Sequence, residues 1–398
     1  MEAYIFDVVR TPRGRGKEGG ALSGTKPIAL LATLFAALGA RTGLAGAHID
    51  DVILGCSTPR GEQGANIARI AALYAGFGER ASGTTVNRFC ASGFDALHTA
   101  ASRVASGMAE CIVAGGVESL SRVPMMSDGG AWFEDRDVAK KTGFLHMGVA
   151  ADLLATKEKV ERAELDAFAA RSQRLATLAT EQRAFARELV TVADAEGNVL
   201  LDRDECVRPG VTAEKLAAMP PLFAAGAPGE RTALARFPEL GSLSYVHTAG
   251  TSPAMADGAS LCIVGSKAFG ERLGLRPRAR IVSFAEIASD PVLMLGGNPQ
   301  ATQTALDRSS VGLADVDLFE VGESFAVVPV HYARKLDLPM DRINVTGGAI
   351  ALGHPLGATG VILLGTLLAN LEARNKTVGV MSICAAAGIA SATVIERM

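Results

Sequence analysis

The sequence has few aromatic residues and no excess of either charge. Aromatic residues make up 5% and charged residues 20% of the 398 positions, and the formal net charge is −3. Because basic residues do not outnumber acidic ones, the charge balance does not favour nucleic-acid binding. The 48% of hydrophobic residues can fill a large core, which excludes a disordered chain. The 44 glycines predict many tight turns and close backbone contacts.

Cysteine pairs and long hydrophobic runs are also absent. No two cysteines form Cys-x-x-Cys, and none stands with histidine at zinc-site spacing. The N-terminal segment lacks the basic start and apolar core of a signal peptide. The longest mainly apolar runs, 27–40 and 360–369, are too short to cross a bilayer. We therefore expect a cytoplasmic protein with reduced thiols, no metal site and no membrane segment.

Short β-branched runs alternate with Ala/Leu-rich helical patterns at both ends of the chain. The patterns predict strands over 4–9, 51–55, 110–114, 279–284, 318–321 and 378–383. They predict helices over 27–40, 66–74, 92–106, 301–308, 324–335 and 359–371. This alternation is typical of an α/β fold with mostly parallel strands covered by helices.

The middle of the chain differs from both ends. Residues 121–250 are richer in charge, Pro and Met, with a helical stretch at 162–183 and an irregular one at 208–227. We interpret this section as a loop domain inserted in the first half. A Cys-Ala pair follows a strand-like run in each half, which suggests a duplication. The predicted domains are residues 1–270, including the loop domain at about 121–250, and residues 271–398.

One glycine pattern resembles a nucleotide-binding motif but lacks the sequence context of such a site. The glycines at 14, 16 and 19 fit Gly-x-Gly-x-x-Gly, but no helix pattern opens there and residues 21–40 contain no acidic residue. We interpret this segment as a glycine-rich surface loop.

Cys90 is the first candidate for chemistry. It follows a strand-like run, and the small residues Ala91-Ser92-Gly93 then open a helix pattern. Free N–H groups and the dipole at a helix N-terminus lower the pKa of a thiol, which makes it a nucleophile. The alternative is a buried Cys at a strand–helix junction.

Two further segments carry reactive side chains. His354 lies in Gly353-His354-Pro355-Leu356-Gly357, where glycines permit close approach of a ligand and imidazole is the usual group for moving a thiol proton. Cys384 ends a strand-like run and precedes small residues. Taken singly, each residue could instead be a structural core residue.

Together these segments resemble the thiolase family, the acetyl-CoA acetyltransferases and 3-ketoacyl-CoA thiolases. The resemblance covers essentially the whole chain. The Gly-His-Pro-Leu-Gly-Ala-Thr-Gly stretch from Gly353, with the Cys90 motif far upstream, is highly specific. The resemblance includes Arg10-Thr11-Pro12, Gly115-Gly116-Val117-Glu118, His146-Met147-Gly148, Thr248-Ala249-Gly250 and Asp257-Gly258-Ala259.

The resemblance implies two similar α/β halves, each a mixed sheet between helices, with an inserted loop domain. It implies thiolysis of a 3-ketoacyl-CoA by CoA, and the reverse Claisen condensation. Cys90 would be the acyl-accepting nucleophile, His354 its base, and Cys384 the second acid/base. CoA and acyl-CoA would be substrates, with no tightly bound cofactor, and the assembly would be a homotetramer or, second, a dimer.

Two departures from the family pattern concern groups that stabilise oxyanions or orient the catalytic side chains. The family's Cys-x-Gly-Gly-Gly-x-Gly puts Gly where this chain has Ala386, whose N–H would serve unless the position needs a positive φ. The family's Asn-Glu-Ala-Phe-Ala, whose Asn holds a water, is Gly322-Glu323-Ser324-Phe325-Ala326 here. Gly322 cannot hold that water. We expect Glu323 to orient His354 or Cys384 through hydrogen bonds, or else to be a helix N-terminal charge.

The resemblance also suggests the CoA site. Arg208 and Lys215 would pair with CoA phosphates, or else be solvated loop cations. Phe223, Met147 and Phe325 would line the pantetheine or acyl pocket, and His146 would contact the thioester end. Pro253 replaces a Ser that often bonds the pantetheine chain, so we expect that contact to be absent.

Two other functions remain open on the sequence. One is a thiolase with altered condensing chemistry or an unusual acyl substrate, because of Gly322 and the Ala-rich loop after Cys384. The other is a non-catalytic CoA- or lipid-binding protein. The presence of Cys90, His354 and Cys384 together argues against a binder, which needs none of them.

Overall fold

The first half of the chain alternates strands and helices as the sequence predicts. The structure is a computed structural model that describes residues 2–78 and 80–398. The elements are β1 (Tyr4–Arg10), β2 (Gly14–Arg15), α1 (Pro27–Thr42), β3 (Asp51–Gly55), α2 (Ile67–Tyr74), β4 (Thr84–Val86), α3 (Ser92–Ala105) and β5 (Cys111–Glu118). Helix α1 illustrates the local signals that set these boundaries. Pro27 occupies its first turn, and Gly43 ends it in the left-handed conformation at φ 69°.

Strand β5 is longer than the predicted 110–114. The strand continues through Gly115 and Gly116. An added Cβ on Gly115 would lie 2.0 Å from the Ser260 carbonyl oxygen, and one on Gly116 would lie 2.0 Å from the Gly357 carbonyl oxygen. These glycines permit the close approach of a neighbouring backbone.

The predicted insertion follows β5 and is built mainly of helices. Its elements are α4 (Ala131–Glu134), α5 (Arg136–Thr142), α6 (Met147–Glu158), α7 (Arg162–Glu181), β6 (Val192–Ala193), β7 (Val199–Leu201), α8 (Ala213–Ala217) and α9 (Glu230–Arg236). The chain then returns to the main sheet in β8 (Ala256–Gly265), a strand that the sequence patterns did not predict.

The second half repeats the alternation. Its elements are α10 (Lys267–Leu273), β9 (Ala279–Ala288), α11 (Asn298–Asp307), β10 (Leu318–Val321), α12 (Val327–Leu336), α13 (Ala349–Leu352), α14 (Thr359–Ala373), β11 (Val378–Cys384) and β12 (Ile389–Arg397). Helix α12 starts three residues later than the predicted 324–335. Strand β12 was missed in the sequence.

The strand order shows the duplication. Among the described residues, ten strands form one sheet, with β2 beside β8 and the others in the order β10-β11-β12-β9-β1-β8-β5-β3-β4. From the centre outward, β1-β8-β5-β3 and β9-β12-β11-β10 have the same pairing, antiparallel, antiparallel, then parallel. The halves join edge to edge where Tyr4 and Ile5 pair with Arg280 and Ala279. The expectation of two similar mixed-sheet halves is confirmed, and the sheet is continuous between them.

The two halves of the sheet, a helix layer on the outer face of each half and a helix layer between the halves make five layers. Helices α1 and α2 pack on the outer face of the first half, and α11 and α12 on the outer face of the second. Helices α3 and α14 pack against each other between the two halves. The central layer therefore brings the N-terminus of α3, next to Cys90, towards residues from both halves.

Helix α14 belongs to a long apolar stretch. Leu356–Ala373 spans 18 residues at a mean hydropathy of 1.5, enough by length and composition to cross a bilayer. The apolar run is thus longer than its sequence core at 360–369 suggested. In the fold, 83% of it is buried, which is how a core helix of the central layer behaves.

Candidate active site

Cys90 lies in a tight turn between β4 and α3. Phe89 adopts a left-handed conformation at φ 51°, and the side chain of Ser92 holds the turn. The Ser92 hydroxyl donates to the Phe89 carbonyl at 2.6 Å and accepts from the Arg88 N–H at 2.8 Å. The turn places Cys90 two residues before Ser92, the first residue of α3, with 4% of its surface exposed.

The protonation of Cys90 differs from the sequence expectation. Burial raises the pKa of its thiol to about 12, with smaller increases from Cys384 and Glu118. The expected lowering of the pKa by the helix terminus does not prevail, because this terminus is buried in the central layer. The resting thiol is therefore neutral, and it needs a base to become a nucleophile.

His354 carries an unprotonated ring nitrogen. Its Nδ1 lies 2.8 Å from the Thr359 hydroxyl, which itself donates to the Pro355 carbonyl at 3.1 Å. The hydroxyl therefore accepts from Nδ1–H, which leaves Nε2 without a proton. Nε2 is buried and has no hydrogen-bond partner among the residues that the structure describes. Burial, and then the charge of Arg13, lower the pKa of His354 to about 4, so the imidazole is neutral.

Glycines bring the loop between α13 and α14 (residues 353–358, the His354 loop) and the start of α14 onto the first turn of α3. An added Cβ on Gly93 would lie 2.8 Å from the Gly357 oxygen, and one on Gly360 would lie 2.3 Å from the Phe94 nitrogen. The buried carboxylate of Glu118 accepts from the Gly357 N–H at 2.9 Å. The loop of the second half is thus fixed on the first turn of α3, the helix that follows Cys90.

Cys384 ends β11 and is fully buried. Its charge would raise the pKa of Cys90, which places the two thiols within electrostatic reach. The Cys384 Sγ lies 3.5 Å from the Ser324 hydroxyl. Burial raises the pKa of Cys384 to about 11, although the Ser324 hydrogen bond lowers it. Ser324 was not among the predicted site residues; its signal in the sequence was a Ser where the family motif has Ala.

Glu323 is where the structure overturns the expected direct orientation of His354 or Cys384. Its buried carboxylate accepts from the Ser172 hydroxyl at 2.9 Å, the Asn344 amide at 2.9 Å and the Ile350 N–H at 3.0 Å. These bonds tie the end of β10 to α7 and α13 instead. Glu323 supports the His354 loop only through α13.

The space beside Gly322 is filled. An added Cβ there would lie 2.9 Å from Cγ1 of Ile383, a fully buried side chain. The space that a side chain at 322 would occupy is therefore filled by Ile383, the residue that precedes Cys384.

The Ala-rich loop carries its strain one residue later than Ala386. Ala387 has φ 57° and Gly388 has φ 78°, whereas Ala386 is outside the left-handed region. The substitution of Gly by Ala at 386 therefore costs no left-handed backbone strain.

A buried ion network that the sequence did not reveal lies beneath His354. Asp204 accepts from Arg10 at 2.8 Å and from Arg13 at 3.1 Å, and Arg10 also pairs with Glu188 at 2.7 Å. Arg13 further donates to the carbonyl of Gly353 at 3.3 Å. The network joins β1, the insertion and the His354 loop.

The predicted CoA contacts line two adjoining cavities. Arg208 and Lys215 both line a cavity of about 160 Å³ with Ser252, Ala254 and Ile350. Arg208 and Ala254 also line a second cavity, of about 220 Å³, with Arg15 and Lys17. The carbonyl of Ala254 accepts from the His354 N–H at 2.8 Å, so the cavities adjoin the His354 loop.

The predicted pocket residues form one group near the start of α6 and another near Cys384. The rings of His146 and Phe223 are 5.3 Å apart, and Phe223 packs closely on Gly148, next to Met147. Phe325 follows Ser324 and lies 5.5 Å from the ring of His247. Phe223, Met147, Phe325 and Cys384 belong to the same hydrophobic core.

No cluster of three or more potential metal ligands occurs within residues 2–78 and 80–398. All six cysteines are buried free thiols.

The fold and this site define a class of enzyme. A solved acetyl-CoA acetyltransferase of Bacillus anthracis superposes with a TM-score of 0.86 at 31% identity, covering 100% of this chain and 99% of that one. The family model "Thiolase, N-terminal domain" matches residues 3–268, and "Thiolase, C-terminal domain" matches residues 275–397. These matches identify an acyltransferase with the thiolase fold.

Curated relatives complete the identification. A 3-ketoacyl-CoA thiolase of Colwellia psychrerythraea is 39% identical over 406 residues and covers 100% of both chains. One of Yersinia pestis is 40% identical over 404 residues and covers 99% of both. The chain belongs to the thiolase family.

Proposed function

We propose that this enzyme cleaves 3-ketoacyl-CoA with CoA, and catalyses the reverse condensation, through an acyl-enzyme on Cys90. The observation that carries the proposal is that the buried thiols of Cys90 and Cys384 lie within electrostatic reach, while the loop of the neutral His354 imidazole packs on the first turn of α3. Cys90 comes from the first half, and His354 and Cys384 come from the second. Two acid/base groups suit this reaction because its two halves move protons at different atoms.

In the thiolysis direction, His354 Nε2 takes the proton of Cys90, and the thiolate attacks the 3-keto carbonyl. The carbon–carbon bond breaks, and the departing α-carbon of acetyl-CoA takes the proton of Cys384. CoA then attacks the acyl–Cys90 thioester and gives its proton to the Cys384 thiolate. The imidazolium of His354 returns its proton to Cys90, which restores the starting state. The N–H of Ala386 would stabilise the thioester oxyanion, an effect worth roughly 10²–10³-fold in rate.

The two cavities support a CoA site at the protein surface. Lys215 and Arg208 would pair with CoA phosphates, while the pantetheine chain would pass Ser252 and Ala254 toward His354. Met147, Phe223 and Phe325 would line the pantetheine or acyl pocket, and His146 would contact the thioester end. Substrates bind reversibly in this scheme, and it needs no tightly bound cofactor.

The remaining proposals concern organisation and location. We keep the division at about residue 270, supported by the repeated strand order. We propose a homotetramer or, second, a dimer. Association of copies is supported by the apolar residues Ile70, Leu73 and Tyr74, which α2 exposes beside the edge strand β4. A cytoplasmic location fits six free thiols. Light scattering on the purified protein tests the assembly.

The test of function is thiolysis across 3-ketoacyl-CoA substrates from acetoacetyl-CoA to long chains, with mass spectrometry of the intact protein. We expect cleavage, a covalent acyl group on wild-type protein, and loss of turnover with retained CoA binding in Cys90→Ser. Unchanged turnover in that variant would disprove the mechanism.

A further inference from the structure

Ser324 contacts Cys384 but takes no part in the proton transfers of the proposed mechanism. Its hydroxyl lies 3.5 Å from the Cys384 Sγ, and the residues are 3% and 0% exposed. The structure shows no other hydrogen bond of the Ser324 side chain within residues 2–78 and 80–398. The hydroxyl proton is therefore free to turn toward the sulfur.

A hydroxyl can reverse its role as the thiol changes charge. Beside a neutral Cys384, the thiol donates to the Ser324 oxygen. Beside a thiolate, the hydroxyl rotates and donates to the sulfur. Hydrogen bonds to a charged group are stronger than those between neutral groups. The contact therefore stabilises the thiolate more than the thiol.

The thiolate needs such a partner because its surroundings disfavour charge. Cys384 packs in a hydrophobic core with Phe325 and Ala390, and burial is the largest influence on its pKa. In the same segment, Gly322 offers no side chain, and Ile383 fills the space beside it. Ser324 is the side chain of this segment that bonds to Cys384.

We propose that Ser324 is a positioning residue that turns the Cys384 thiol and stabilises its thiolate during the proton transfer at the α-carbon. The inference rests on the proposed function, in which Cys384 gives its proton to the departing carbon. In the reverse direction the Cys384 thiolate takes the α-proton and the electron pair of the broken carbon–hydrogen bond attacks the acyl carbonyl on Cys90. The thioester bond then breaks, and the Cys90 thiolate takes the proton of the His354 imidazolium.

The test separates the two half-reactions in the full-length protein. Acylation of Cys90 by acetyl-CoA is followed by intact mass, and exchange of the acetyl-CoA α-protons with D₂O is followed by NMR. In Ser324→Ala, exchange should fall roughly 10-fold or more, the scale of a lost hydrogen bond to a charge, while acylation stays within about 2-fold. The pH profile of exchange should move to higher pH by about one unit for a 10-fold effect.

Two matched variants complete the design. Ser324→Thr keeps the hydroxyl and should restore both the exchange rate and the pH profile. Ser391→Ala removes another buried hydroxyl, one without a partner among the described residues, and should leave exchange unchanged. Thermal melts of all variants confirm that the proteins are folded.

Three outcomes would overturn the inference: an unmoved pH profile in Ser324→Ala, equal losses in acylation and exchange, or a folded Ser324→Thr that does not recover. A wild-type protein that neither acylates Cys90 nor exchanges α-protons is a different result. It would refute the proposed function itself, and the inference with it.

Discussion

Replacing Gly322 with Asn tests whether Ile383 occupies the space that a side chain at position 322 would need. An added Cβ would lie 2.9 Å from Cγ1 of Ile383 and 3.4 Å from its Cβ and Cδ1. Ile383 is fully buried between the sheet and the central helices, so it has little room to move. Gly322 is not in the left-handed region, so the cost comes from packing and not from the backbone. Overpacking costs about 1–3 kcal/mol, and we expect Gly322→Asn to lower the free energy of unfolding by that amount.

A double-mutant cycle isolates the pair. Ile383→Ala alone should cost about 2–5 kcal/mol because it leaves a cavity. In the double variant, the new amide occupies part of that space. The combined loss should therefore be smaller than the sum of the single losses by about 0.5–3 kcal/mol.

The assay is urea unfolding with linear extrapolation at one fixed protein concentration, because association of copies shifts the apparent stability. Additive losses would refute the reasoning, as would a Gly322→Asn variant as stable as the wild type. Either result would mean that Ile383 does not hold the space beside Gly322.

Three further predictions concern residues around the site. Ala387→Gly should stabilise the protein by up to about 1 kcal/mol, because it relieves a left-handed alanine at φ 57° and loses only the entropy advantage of Ala; urea midpoints measure this. The folded pKa of His354, about 4, lies below its unfolded value of 6.5, so its contribution to stability is complete above pH 6.5 and is lost as pH falls toward 4. Lowering the pH from 6.5 to 5 should thus cost about 2 kcal/mol through this residue, and His354→Asn should lose that much less over the same range. Asp204→Asn should cost about 3–5 kcal/mol in urea unfolding, because it leaves Arg10 and Arg13 buried without their shared carboxylate.

Each of these predictions has a control or a contrary result. A less stable Ala387→Gly would show that the loop gains more from rigidity than it loses to strain. Identical pH dependence in wild type and His354→Asn would contradict a buried neutral imidazole. Glu110→Gln, which breaks the exposed pair with Arg272, is the control for Asp204→Asn and should cost under about 1 kcal/mol.

Local pattern predicted most elements of the fold. Strands β3 and β10 match their predicted ranges, and the family resemblance anticipated the two similar halves. Helix α1 carries its own start and stop signals in Pro27 and Gly43. Strands β8 and β12 escaped because small residues such as Ala, Gly and Ser dilute the β-branched signal. Their strand character comes from pairing with neighbours on both sides, which is a tertiary property.

The sequence by itself determined which groups can do chemistry: two cysteines, each at a strand end before small residues, and a histidine among glycines. Only the tertiary structure decided their state. Burial in the central layer keeps Cys90 a neutral thiol and His354 a neutral base, against the expectation from the helix terminus alone. Tertiary packing also decided three contacts. Glu323 bonds to α13, Ile383 fills the space beside Gly322, and Ser324 lies within hydrogen-bond distance of Cys384. Residue type fixes what a side chain can donate or accept, but desolvation and distance depend on every element packed around it.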